Sequence, residues 1–259
     1  MQTANKNKAY LALAATSIIW GTTWVASRIG VQHVPGLQVS YIRQFISGSL
    51  LLTFYFIKGE KLPTWPQFRW LFVLSIFMFV LANGLATWSV KFISSGLASL
   101  ISALYPLCVV LIEMLLFKKN NNRPLTFIGL IVGIAGVAVV FYENAFHSQP
   151  EGYGFGVLLG FIAMFGWSVG TIFVARNKYN MNPYYAMGWQ MFISSFIIFI
   201  AASATDNRIP LSEIPYQTWG AIGYLTLMGS VIAFTAFIYS IKHLPPAISS
   251  LYAYINPLV

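Results

Sequence analysis

Hydroxyl, aromatic and amide side chains are threaded through otherwise apolar stretches of this 259-residue chain, at spacings that gather them on shared helix faces. Thr16, Trp20, Thr23 and Ser27 follow one another at intervals of four, three and four, which stacks them along one stripe of a helix. Ser95, Ser99 and Ser102 repeat the pattern and lead into Tyr105-Pro106. Ser249, Tyr252 and Asn256 lead likewise into Pro257. Asn83 lies far from any expected interface, with Thr87 one turn on. These groups hydrogen-bond reversibly and transfer nothing, so their chemistry is the binding and release of a small solute. Each also has a plainer reading. Thr and Ser satisfy their own helix backbone, and a membrane Asn often bonds a neighbouring helix.

A proline inside a helix removes one backbone hydrogen bond. At membrane depth that is tolerated where the freed carbonyl faces protein or a wet cavity. Pro106 and Pro257 therefore point to broken helices at a site, or simply to kinks. Arg43 and Glu113 are the clear intramembrane charges. Both lie within two turns of a helix end and are able to snorkel, so gating or structure is the role expected of them. Glu113 is the sole candidate carboxylate for proton coupling, and a poor one so close to a helix end. His33, His147 and His243 are scattered without metal-ligand spacing. No phosphate loop or nucleophile elbow appears. No enzyme chemistry, metal or cofactor is expected.

The elements that must hold these groups follow from composition. The chain is 58% hydrophobic and only 8% charged, where soluble domains run near a quarter charged. Most of its surface must face lipid. The net charge of +9 is spread singly or in twos and threes between apolar runs, which excludes a nucleic-acid face. Cys108 stands alone, so no internal disulfide forms. Lys6 and Lys8 precede a run long enough to span, which reads as an uncleaved first helix rather than a signal. A span needs about 20 apolar residues. On that measure helices are expected at roughly 9–28, 37–57, 69–90, 94–117, 124–142, 153–175, 182–203, 217–240 and 245–259. With the amino terminus inside, eleven Lys and Arg fall on inner segments against three outside (Arg28, Lys91, Arg208), the bias of a cytoplasmic amino terminus.

The chain also repeats. Arg43–Leu50 (RQFISGSL) resembles Gln190–Ile197 (QMFISSFI), a shift of 147. Ser89–Leu107 resembles Ser240–Leu258, a shift of 151. Five helices per unit is an odd number, so the second copy enters the membrane from the opposite side, as in secondary transporters. The expected fold is an all-α polytopic membrane protein of inverted five-helix repeats. The first occupies 1–147 and the second, incomplete, 148–259. Nine helices of an expected ten are present, the carboxyl end being truncated by roughly 35 residues by symmetry.

Trp20-Gly21-Thr22-Thr23-Trp24, Pro35 followed by Arg43, Tyr105-Pro106 and Asn256-Pro257 occur in this order on the repeat. The chain resembles the EamA-type transporters of the drug/metabolite transporter superfamily in these features. It departs from the family at Lys118 to Arg123, where an acidic turn is usual. The resemblance implies export of amino acids, related metabolites or drugs by alternating access in a cell (inner) membrane. Trp20, Thr23, Asn83, Ser99, Tyr105, Trp167, Tyr252 and Asn256 are the expected lining of a central cavity. Few embedded basic residues argue against phosphorylated substrates. Gly129, Gly133 and Gly136 in helix five, and Gly152, Gly156 and Gly160 in helix six, allow close helix packing. The helix-five set also allows a homodimer. The rival readings are a membrane enzyme acting on lipid and a non-transporting structural subunit.

Overall fold

The computed structural model describes residues 2–117, 128–129, 131–132, 135–136, 139, 142, 150–176, 180–244 and 246–259. Helices and short turns account for the architecture, and the described residues contain no strand. In chain order the helices are α1 (Gln2–Gly30), α2 (Gly36–Ile57), α3 (Trp65–Ser75), α4 (Leu85–Ser89), α5 (Ser95–Ser102), α6 (Tyr105–Phe117), α7 (Tyr153–Ala175), α8 (Pro183–Ala204), α9 (Tyr216–Tyr224), α10 (Ala233–His243), α11 (Pro246–Ser249) and α12 (Tyr252–Ile255). A π-helical segment, Ile76–Gly84, joins α3 to α4, and another, Leu225–Ile232, joins α9 to α10.

Six stretches among the described residues are long and apolar enough to cross a membrane: Lys6–Gly30, Trp65–Ser89, Ser95–Leu115, Tyr153–Val174, Pro183–Ala204 and Tyr216–His243. The chain is an integral multi-pass membrane protein. α2 has the length of a span at 22 residues, but Gln38, Ser40, Arg43, Gln44 and Ser47 make it more polar, and all five are buried. Ile18, Leu50, Ile57, Leu115, Leu158, Ile200 and Leu227 are exposed instead. Apolar groups outside and polar ones inside invert the pattern of a soluble domain, because the bilayer is the apolar phase. The expected fifth helix, 124–142, lies largely outside the described residues. Those described within it are helical, and a side chain at Gly129 or Gly136 would meet nothing within 4 Å.

α2 and α8 pack along most of their length. A Cβ on Gly48 would lie 2.6 Å from the Phe192 backbone nitrogen, and one on Gly188 would lie 3.0 Å from Leu51 Cβ. Only glycine lets these backbones approach so closely. Two loops are pinned to this pair. Gln38 Nε2 donates to the Ile209 carbonyl at 2.8 Å, while Gln38 Oε1 accepts from Ile209 N at 2.7 Å. Tyr185 Oη donates to the Lys61 carbonyl at 3.1 Å. On either side, α1 packs on α9 to α10, and α7 packs on the π segment and α4 of the Trp65–Ser89 span.

The Ser95–Leu115 span breaks between Ser102 and Tyr105, and Pro106 falls in the first turn of α6, where a missing N–H costs little. In a continuous helix the Ser102 carbonyl would have taken that amide. The helix expected at 245–259 is broken as well, into α11 and α12 between Ser249 and Tyr252, and Pro257 follows the end of α12.

Candidate functional site

The polar stripe of α1 turns inward: Thr16, Trp20, Thr23 and Ser27 are all buried. Thr16 Oγ1 donates to the Ala12 carbonyl at 2.9 Å, and Thr23 Oγ1 to the Trp20 carbonyl at 2.7 Å. Both hydroxyls thus spend a donor on their own helix. Trp20 reaches further. Its indole Nε1 donates to the Gly229 carbonyl at 3.1 Å, inside the second π segment, where i→i+5 bonding rearranges the carbonyls.

Around the Trp20 ring four others close in. Phe234 and Tyr252 lie at 4.9 Å between centroids, Phe237 at 5.0 Å and Trp167 at 5.8 Å. Trp167 Nε1 donates to Tyr252 Oη at 2.8 Å, and Tyr105 stacks on Tyr252 at 5.8 Å. Edge-to-face pairs of this kind each contribute roughly 0.5–1.5 kcal/mol beyond their buried area. Helices α1, α6, α7, α10 and α12 therefore meet in one aromatic layer.

A cavity lies on each side of it. The narrow one, of about 110 Å³, opens toward the carboxyl end of α1, beside Trp24 and Ser27, and meets Asn83, Thr87 and Ser89 on the Trp65–Ser89 span. The wide one, of about 460 Å³, meets Gln67, Trp70, Met78 and Phe79 at the other end of that same span. Phe234 walls both.

The narrow cavity gathers Trp20, Thr23, Asn83, Trp167, Tyr252 and Asn256, and with them Arg43. Tyr105 lines the wide cavity. Ser99 is buried, donates to the Gly96 carbonyl at 2.7 Å and lines neither. Glu113, Pro106 and Pro257 also lie outside both linings. Asn83 Nδ2 donates to the Met78 carbonyl at 3.2 Å, five residues back along the first π segment. Asn256 lies so that its amide nitrogen, once assigned by its neighbours, donates to the Ser17 and Tyr252 carbonyls at 3.0 Å. Arg43 Nε donates to Ser230 Oγ at 2.8 Å.

Sequence reasoning passed over Trp24, Ser89, Gln190, Phe234 and Phe237. Gln190 and Ser89 did carry a signal, since each heads a repeated block. Trp24 stood in the signature with Trp20, whereas Phe234 and Phe237, single rings on an apolar helix, carried none. The walls offer hydroxyls, amides, rings and one guanidinium on the narrow side. Among the described residues no three of His, Cys, Asp and Glu come together as a metal site would need. The arrangement can grip and release a solute.

Known proteins agree with this geometry. The model of the EamA-like transporter family matches residues 7–142 and 154–259. The chain is 30% identical over 250 residues to the uncharacterized inner membrane transporter YedA of Escherichia coli (strain K12), covering 96% of this chain and 79% of that one. It is 22% identical over 245 residues to the uncharacterized transporter YoaV of Bacillus subtilis (strain 168), covering 94% and 83%. One solved crystal structure shares the fold, with a TM-score of 0.68 at 19% identity over 98% of this chain and 86% of that one. By sequence match and by helical architecture, the chain belongs to the EamA-like transporter family.

Proposed function

We propose that this protein is a secondary transporter, not an enzyme, which exports a small amphipathic metabolite such as an amino acid by alternating access. The observation that carries the reading is the aromatic layer around Trp20, with one cavity on each side of it along the same helices. Alternating access needs a site that opens to one face at a time, and a stacked layer between two chambers is the barrier such a cycle must move.

An inverted repeat would supply the reason for two chambers. Several features of the two halves correspond across the sequence shift of 147 to 151. The π segments Ile76–Gly84 and Leu225–Ile232 fall at matching places. Gln38 clamps a loop of the second half, and Tyr185, 147 residues on, clamps a loop of the first. Arg43 lines the narrow cavity and Gln190, again 147 on, lines the wide one. Matched elements that trade places between faces are what rocking about a fixed site requires. In this reading 1–147 and 148–259 are the moving halves, and the amino terminus is cytoplasmic, with the wide cavity on its side. π segments supply the give, since their backbone bonding is already off the α-helical ladder.

The test is flux. Purified protein in proteoliposomes is screened with amino acids and related metabolites, and Trp20→Ala is run beside the wild type. Concentrative movement of at least one solute, lost in the variant, is the expected result. Wild-type protein that moves nothing in the panel, or a variant as active as its parent, ends this reading. Cysteines introduced at Ser27 and Lys242 should label from outside and inside respectively, which checks the orientation.

A further inference from the structure

The narrow cavity holds a guanidinium that meets nothing acidic. Arg43 is 5% exposed and lines a cavity whose wall contains no Asp or Glu. Its Nε is committed to Ser230 Oγ at 2.8 Å, and among the described residues neither Nη is hydrogen-bonded. A cation taken from water without a counter-charge is costly, and in a membrane interior it is retained for a purpose. A second group in the same wall is also unspent. Ser89 is fully buried, and its Oγ has no partner. At the corresponding point of the repeat, Ser240 gives its hydroxyl to the Phe237 carbonyl at 2.9 Å.

We propose that the narrow cavity binds the carboxylate of the transported solute, with the two Nη groups of Arg43 as its bidentate partner and the Ser89 hydroxyl as a neutral donor. The proposal deepens the carrier reading and rests on it for what the bound molecule is. A guanidinium with its Nε already used still presents a planar fork, which matches the two oxygens of a carboxylate. The wall carries a single cation, which suits a monoanionic group better than a phosphate dianion. Size narrows the choice further. At about 110 Å³ the space is well below the roughly 300–1,000 Å³ of drug-sized pockets. It takes a short acid or the head of an amino acid, whose remainder would press on Trp20 and Trp24.

Purified full chain in nanodiscs, at constant ionic strength in sulfate, is titrated with propionate, with its neutral isostere propionamide, and with chloride. Tryptophan fluorescence reports binding, since Trp20, Trp24 and Trp167 share the wall. Propionate should saturate, with propionamide and chloride each about tenfold weaker or more, a difference fitting the loss of a charged bidentate contact. Arg43→Gln should abolish the propionate response and Arg43→Lys restore part of it. Should Arg43→Gln not fold, Ser89→Ala decides, with an expected weakening of about three- to tenfold.

The proposal fails if the amide binds as well as the acid, if chloride binds as tightly, if the wild type gives a flat propionate titration, or if a folded Arg43→Gln, or in its absence Ser89→Ala, binds as the wild type does. Flux distinguishes it from the carrier reading. Arg43-dependent binding without transport of any solute keeps this site and removes the carrier. Transport that Arg43→Gln leaves unaltered keeps the carrier and removes this site.

Discussion

The two cavities share one wall, Phe234, and lie along the same helices, yet they are finished differently. The narrow one, of about 110 Å³, is edged by Thr23, Arg43, Asn83, Thr87 and Ser89. The wide one, of about 460 Å³, is edged by Met78, Met181, Met187, Phe237, Ile238 and Ile241, with Gln67, Thr171, Lys242, Ser249 and Ser250 as its polar edge and Gln190 where the narrow one has Arg43. Fixed polar donors recognise one pattern of acceptors, because a mismatched solute leaves them unpaired. Methionine and isoleucine walls adapt to whatever apolar shape arrives. In the proposed carrier the narrow chamber would serve recognition and the wide one, richer in methionine and isoleucine, passage.

The contrast depends first on the layer that keeps the chambers apart. Trp20→Ala should merge them, with loss of coupled flux in proteoliposomes and a stability loss of about 3–5 kcal/mol, typical of deleting a large buried ring. Thermal unfolding in detergent reads the second effect, and a variant as stable as the wild type would show that the layer is not the packing centre described.

Next comes the crossing that sets both chambers at once, since α2 carries Arg43 and α8 carries Gln190. Gly48→Ala would push a methyl onto the Phe192 backbone nitrogen at 2.6 Å, and backbone atoms cannot swing aside. A loss near the upper end of about 1–3 kcal/mol is expected, and solute affinity should fall along with it. Unaltered melting and affinity together would mean that the crossing is looser than its geometry implies.

A paired substitution sharpens the comparison itself. Asn83→Ala on the narrow side should raise the half-saturating concentration of the solute found in the flux screen about tenfold, near 1.4 kcal/mol. Gln190→Ala on the wide side should raise it by less than about threefold, near 0.6 kcal/mol. The reverse ranking would move recognition to the wide chamber. The smallest effect on transport is expected at Met187→Leu, a swap that keeps volume and polarity. Transport at close to the parental rate would fit an adaptable wall, and a large loss would show that the wall is specific.

Much of this was legible early. Expected helix limits such as 37–57 and 153–175 lie within a residue of α2 and α7. Bilayer thickness fixes the length, and charge or proline marks the ends. The stripe through Trp20 was visible for the same kind of reason, since helical period places Thr16, Trp20, Thr23 and Ser27 on one face whatever the neighbours do. Ser99 shows where that logic stops. It shares a face with Ser95 and Ser102, but its hydroxyl closes on Gly96 and reaches neither cavity. Period identifies a face and does not say what the face meets.

From sequence alone come the membrane, the helical character, the repeated pattern and the pool of polar groups held at depth. These are properties of single segments in an apolar solvent, so local composition suffices for them. The tertiary structure decided the rest. It joined Trp20 to Gly229 across 209 positions and Arg43 to Ser230 across 187, and it left Ser89 unpaired where Ser240 is satisfied. Which donor finds an acceptor depends on ångström-scale placement between spans distant in the chain, and no local pattern carries that information.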